Sequence, residues 1–155
     1  MQPKFIMLIG VPACGKSTWV KENVNTAITA VVSTDSFIDL IAETRNKTYN
    51  EVFKDTIKFA TELSLIAAKN AFLNNRDIVW DQTNLTVKSR KSKIQMVPKN
   101  YYKEAIWFET PPHDEHIRRL NSRNGKSIPS VVIKSMVSSF QIPSLDEGFD
   151  NIVRL

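Results

Sequence analysis

A single cysteine, Cys14, occurs in 155 residues, so no disulfide can close within the chain. A reducing, intracellular and cytoplasmic setting is therefore expected. Long apolar runs are missing too. The opening stretch Phe5–Ile9 is far shorter than a membrane span and is broken off by Gly10, which also argues against a secretory leader. No repeat, low-complexity tract or linker divides the sequence, and a single domain over residues 1–155 is expected. Apolar residues make up 42% and charged residues 24%, enough for one buried core in a globular fold. The formal net charge is +5. Such an excess suits a polyanionic partner or a nucleotide substrate, although ordinary solvated lysines give the same sum. The excess gathers in two places, Lys88, Arg90, Lys91 and Lys93, and then Arg118, Arg119, Arg123 and Lys126.

Short apolar runs at Lys4–Ile9, Ala30–Ser33, Asp77–Trp80, Glu104–Phe108 and Asn151–Leu155 read as buried strands. Helical patterns lie between them, at Lys16–Asn23, Val87–Val97, Asp114–Asn121 and Ser130–Phe140. A longer helix is marked by Phe53, Ile57, Ala60, Ser64, Ala67 and Ala71 at three- and four-residue steps. Strands that are apolar throughout and alternate with helices predict an α/β fold of three layers: a parallel five-stranded sheet with helices on both faces. Ligands of such sheets bind beyond the carboxyl ends of the strands. Polar residues do come directly after the first three strands, at Gly10–Ser17, Asp35 and Asp81–Asn84.

Residues 10–17, GVPACGKS, match the phosphate-loop pattern G-x-x-x-x-G-K-[ST], between an apolar strand and a helix. Gly10 and Gly15 allow a backbone nest around Pro12, in which loop N–H groups and the helix start face phosphate oxygens. Lys16 is placed to bridge the β- and γ-phosphates, Ser17 to ligate Mg²⁺ and Thr18 to hold the α-phosphate. Ala13 and Cys14 complete the loop. Cys14 reads as a small filler or as a thiol activated by the helix end.

The phosphate loop implies a nucleoside triphosphate and not what is done with it. Asp35 lies after the second strand, where a carboxylate can take the proton of an attacking hydroxyl, or can cap the next helix, a task Ser36 could share. Asp81 lies after the third strand and suits water-mediated Mg²⁺ binding or orientation of Ser17. Thr83 and Asn84 fit substrate binding or a capped turn, with Asn84 or Thr86 as the cap. Arg118 and Arg119 suit the carboxyl end of their helix. Arg123 lies beyond it, where it can neutralise charge on a transferring phosphoryl group.

The whole pattern resembles the kinase domain of the polynucleotide 5′-hydroxyl kinases of phage and animal repair enzymes, a P-loop kinase fold. The likeness runs nearly end to end, through GVPACGKSTW at 10–19, Asp35, DQTNLTVKSR at 81–90, RRLNSRNGKSIP at 118–129 and FQIPSLDEGF at 140–149. Phe140, Pro143, Glu147, Gly148 and Phe149 are closest to the animal branch. The resemblance implies ATP as donor, Mg²⁺ as cofactor and a nucleic acid 5′-hydroxyl end, DNA or RNA, as acceptor. By position, Lys16 and Ser17 would bind ATP and magnesium, and Asp35 would activate the hydroxyl. Asp81, Thr83, Asn84 and Arg90 would line the substrate cleft, while Arg123, assisted by Arg119, would sit on the transferred phosphate. The Lys88–Lys93 cluster would border the path of the strand. Two arginines of the phage members are replaced by Thr34 and Ile38. No acidic phosphatase motif is present, so 3′-phosphatase activity is not expected, and whether a separate phosphatase or ligase works alongside is left open by the sequence.

Rival acceptors keep the enzyme: a small alcohol, or a hydroxymethylated base extruded from DNA. Phe37 and Tyr49, in the segment 37–50, could stack such a base or simply pack. A third class, a nucleotide switch or ATPase, leaves Asp35 without a task.

Overall fold

The computed structural model describes all residues 1–155. Five parallel strands form one sheet in the order β2-β3-β1-β4-β5. They are β1 (Lys4–Ile9), β2 (Ala30–Val32), β3 (Ile78–Asp81), β4 (Tyr102–Trp107) and β5 (Asn151–Arg154). The six α-helices are α1 (Lys16–Asn23), α2 (Thr34–Thr44), α3 (Tyr49–Leu73), α4 (Val87–Ile94), α5 (His113–Asn121) and α6 (Ser130–Ser139). The three-layer α/β expectation holds.

Strand β1 is central because it is apolar on both sides. Phe5, Met7 and Ile9 enter a cluster with Ala68, Ala71 and Phe72 of α3 and with Trp80. Leu8 points the other way, joining Val11, Val79 and Ile106, against which Trp19 and Val20 of α1 and Met136 of α6 pack. Alternating side chains thus fill both faces of the sheet, each fully buried large side chain stabilising the fold by about 1.5–3 kcal/mol. A third cluster, Ile38, Ala42, Val52 and Ala60, joins α2 to α3.

Several boundaries differ from expectation. Asp81 is the last residue of β3 rather than the first beyond it, and α4 stops at Ile94, short of Val97. The buried stripe of α3 is Val52, Thr56, Ala60, Ser64, Ala68 and Ala71, while Phe53 is exposed. Small residues let α3 lie close to the sheet and to α2. The Thr56 and Ser64 hydroxyls satisfy themselves by donating to Val52 O and Ala60 O, each at 2.8 Å. Segment 37–50 resolves into the rest of α2 and the start of α3. A capping box starts α3: Glu51 N–H donates to Thr48 Oγ1 at 3.4 Å, and Thr48 N–H to Glu51 Oε2 at 2.7 Å.

Candidate active site

The loop after β1 turns through residues in left-handed backbone, Ala13 (φ 62°) and Gly15 (φ 111°). A side chain on Gly10 would lie 2.6 Å from Cys14 Sγ and 3.2 Å from Phe108 Cβ, so this position needs glycine. Two contacts from distant sequence hold the loop. Gly10 N–H donates to Thr83 O at 2.9 Å, and the buried His116 Nε2 donates to Pro12 O at 2.8 Å. Cys14 is a buried filler of this turn. Lys16 curls back, its Nζ donating to Gly10 O at 2.8 Å and Val11 O at 2.9 Å.

A cavity of about 670 Å³ opens on one side of this loop. Ala13, Cys14, Gly15, Lys16, Ser17 and Thr18 form its floor, and Arg119 and Arg123 overhang it. Gly10 and Pro12 do not reach it: the first is buried beneath the loop and the second faces a different cavity. Trp19, Phe108 and Leu155 give it an apolar wall that the sequence pattern did not single out. Arg119 is tethered by Glu115, with Nε 2.6 Å from Oε1. Hydrogen bonds from Arg118 and Arg119 hold the Glu115 carboxyl down at about 2.

On the other side of Lys16 and Ser17 lies a polar cleft of about 450 Å³, which also takes in Asp35, Asp81, Thr83 and Asn84. Asp35 is in the first turn of α2, but the cap is Ser33, whose Oγ accepts from Ser36 N–H at 3.3 Å. Neither Asp35 nor Ser36 caps this helix, and the Asp35 carboxylate is left for other work. Tyr49 O–H donates to its Oδ1 at 2.7 Å, and Lys126 Nζ lies 3.0 Å from its Oδ2. Lys126 also sits 4.0 Å from the centroid of the Tyr49 ring. Desolvation alone would raise the Asp35 carboxyl. The charge of Lys126, the hydrogen bonds from Tyr49 and Lys126, and Arg123 together outweigh it and hold the group below its ordinary value. Burial pushes the Asp81 carboxyl up, Lys16 nearby opposing and Asp35 adding to the rise. One cleft therefore holds an ionised carboxylate and a second whose proton is held more tightly.

Arg123 lines all three of the clefts around the loop. Its Nη1 is buried without a hydrogen-bond partner. An unpaired guanidinium nitrogen out of water is costly, and an anionic ligand at this junction would satisfy it. The third cleft, of about 460 Å³, is walled by Tyr49, Phe53, Ile128, Val132 and Met136, and opens beside Asp35 and Lys126. Tyr49 and Phe53 pair at 5.6 Å between ring centroids, while Phe37 packs into the α2–α3 cluster.

Arg90 overturns the sequence reading. It is fully buried, its Nε and Nη2 donating to Glu147 at 2.7 and 2.8 Å, and its Nη1 to the carbonyls of Asn84 and Leu85. It lines none of the three clefts and holds the 82–85 loop through the Asn84 and Leu85 carbonyls. Asn84 is buried in left-handed backbone (φ 50°), with its Nδ2 donating to Leu8 O at 2.7 Å, and Thr86 is the cap of α4. Lys93, in the last turn of α4, is half-buried on the cleft wall and donates to Asn84 Oδ1. Burial pushes its ammonium down to about 8.

A phosphate loop after the central strand, an aspartate after the second and an arginine overhanging both define a P-loop kinase-type protein, a nucleotide-binding transferase. A family model described as an AAA domain matches residues 5–143, and the chain belongs to that family. A curated relative, the bifunctional polynucleotide phosphatase/kinase of Schizosaccharomyces pombe, is 26% identical across 96% of this chain. The match spans 32% of that relative's length. Among solved structures, a putative kinase from Chloroflexus aurantiacus superposes with a TM-score of 0.72 at 17% identity, covering 99% of this chain and 85% of the other. A chain of the Pnkp1/Rnl/Hen1 RNA repair complex gives 0.67 at 21% identity, over 88% and 43%. At these identities the two structures attest the fold. The curated match adds a likeness to polynucleotide kinases in sequence. No helix is long and apolar enough to cross a membrane.

Proposed function

We propose that the protein transfers the γ-phosphate of ATP to the 5′-hydroxyl end of a nucleic acid strand, with Asp35 as general base. The observation that carries this reading is the place of Asp35. It is released from capping by Ser33 and lies in one cleft with Lys16, Ser17 and Arg123. A switch or ATPase has no use for a carboxylate aimed at a hydroxyl acceptor. The nucleotide occupies the cavity under Trp19 and Phe108, its terminal phosphate lying on Lys16 and the loop N–H groups. Arg123 neutralises the charge that develops on the transferring group. The acceptor enters the polar cleft, and the third cleft beside Asp35, with its volume of about 460 Å³ and the Tyr49 and Phe53 rings on its wall, receives the nucleobase. The curated phosphatase/kinase relative supports a strand end as the acceptor.

Magnesium fits the residues present. Ser17 and Asp81 line one cleft beside Lys16, and the chain has no cluster of three or more histidine, cysteine or acidic side chains. One hydroxyl and one carboxylate, completed by phosphate oxygens and water, are the donor set Mg²⁺ takes in phosphoryl-transfer sites. The ion, when bound, would screen the phosphate charge. Ser17 would hold it directly and Asp81 through water.

The test uses γ-labelled ATP with three acceptors: a 5′-hydroxyl oligonucleotide, the same strand already 5′-phosphorylated, and DNA containing hydroxymethyluracil. Label on the first and not on the second is expected. Label confined to the third moves the acceptor to a base, and label on none points to a small molecule. Replacing Lys16 with Ala should abolish transfer in every case, and activity near that of the parent would remove the phosphate loop from the mechanism.

A further inference from the structure

Arg123 is carried by a loop, the turns and irregular backbone of residues 122–129 between α5 and α6. Within it, Lys126 N–H donates to Arg123 O at 3.4 Å and closes a turn that places Gly125 in left-handed backbone (φ 66°). A side chain on Gly125 would lie 2.9 Å from Thr48 Cβ. Glycine thus permits both the turn and its close approach to the residue that caps α3.

Asn50, in the first turn of α3, supplies the polar half of that contact. Its Nδ2 donates to Ser127 Oγ at 2.6 Å, and Ser127 N–H donates back to its Oδ1 at 3.1 Å. A helix start leaves its first N–H groups without intrahelical partners, and that of Asn50 donates to Gly125 O at 3.1 Å. Its amide and its backbone are therefore both committed to the two residues that flank Lys126. Apart from the ion pairs of Lys126 with Asp35 and Asp39, residues 123–128 are bonded to the rest of the chain through Asn50 alone. Helix α3 does not need this side chain to begin, because Thr48 and Glu51 already form its capping box.

The clamp acts on what the loop carries. Arg123 Nη1 is buried without a partner, and no ion pair includes this side chain, so its aim depends on the backbone beneath it. Hydrogen bonds from a helix offset the conformational entropy lost in fixing that backbone. Tyr49, the residue before Asn50, holds Asp35. Successive residues of one helical turn therefore grip the carboxylate and the loop that bears the guanidinium.

We infer that Asn50 is a positioning residue: by tying Gly125 and Ser127 to the start of α3, it holds Arg123 over the transferring phosphoryl group and in register with Asp35. This rests on the kinase reading.

The test is a double-variant cycle on kcat, with saturating ATP and a 5′-hydroxyl oligonucleotide. Asn50→Ala should lower kcat about ten- to a hundredfold, with ATP binding retained. Added to Arg123→Ala, it should change kcat by less than about twofold, since the residue it positions is gone. Ser127→Ala keeps the N–H bond to Oδ1, so its loss should be smaller and should likewise vanish without Arg123. That variant carries the same test if Asn50→Ala folds poorly. Losses that multiply with Arg123→Ala overturn the inference, because Asn50 then acts on something else. If they multiply there but merge with those of Asp35→Asn, the effect belongs to the base through Tyr49. An unchanged kcat in Asn50→Ala also overturns it and leaves the kinase reading intact. No transfer to any acceptor by the unaltered protein would overturn that reading itself.

Discussion

Asp35 is held by two neighbours that do different things to it. The Tyr49 hydroxyl fixes one oxygen at 2.7 Å and Lys126 faces the other at 3.0 Å. Both favour the charged form against the opposing effect of burial, so Asp35 keeps its negative charge to lower pH than an ordinary carboxyl. Asp35→Asn should lower turnover by about two orders of magnitude or more with ATP binding retained. Turnover close to the parent's would reduce Asp35 to a structural residue. Tyr49→Phe removes one hydrogen bond to the carboxylate and should raise its pKa. Because the ionised form is the active one, activity falls as pH drops through that pKa. The acid limb of the pH–rate profile should therefore move to higher pH in the variant. A limb that stays in place would show that some other group sets it.

At the scale of elements, α4 shows what a linear pattern can and cannot reveal. Its start was legible and its cap narrowed to Asn84 or Thr86, of which the structure uses Thr86, and the placement of β1 and α1 around the phosphate loop was legible too, because apolar runs, glycine spacing and caps are local signals. Arg90 was not legible. It stands among lysines and reads as one more cation for a polyanion, while its partner Glu147 is 57 residues away in the turn before β5. His116 is hidden for the same reason, 104 residues from the carbonyl it holds. The buried stripe of α3 was misplaced by a residue or so because alanine, serine and threonine carry a weak hydrophobic signal, while exposed Phe53, Phe59, Ile66 and Leu73 carry a strong one. The buried pair makes the correction testable. Arg90→Met leaves Glu147 charged and unpaired and should cost about 3–5 kcal/mol in denaturant unfolding. The double variant Arg90→Met, Glu147→Leu should recover most of that loss. A single variant as stable as the parent would mean that the pair does not tie α4 to the turn before β5.

For the whole molecule, the net charge of +5 becomes informative once each cation is placed. Around α4 the basic residues separate by face. Arg90 points inward to Glu147, Lys93 lines the cleft, and Lys88 and Lys91, three residues apart and exposed, form no ion pair. The last two are the ones available to phosphates of a strand leading away from the cleft. Such contacts release counterions and so set the salt dependence of binding without reading sequence. Replacing Lys88 and Lys91 together with Gln should therefore weaken binding of a long single strand and reduce the slope of log affinity against log salt by about 1.4, two phosphates at about 0.7 each. A dinucleotide acceptor, too short to reach them, should bind as before, and turnover at saturation should be unaffected because neither lysine borders the site. An unchanged slope with the long strand would direct the path across another face, with the exposed Arg118 at the end of α5 as the next cation to replace. A slope that falls equally for the dinucleotide would mean that these lysines act on the whole field of the molecule rather than along a track.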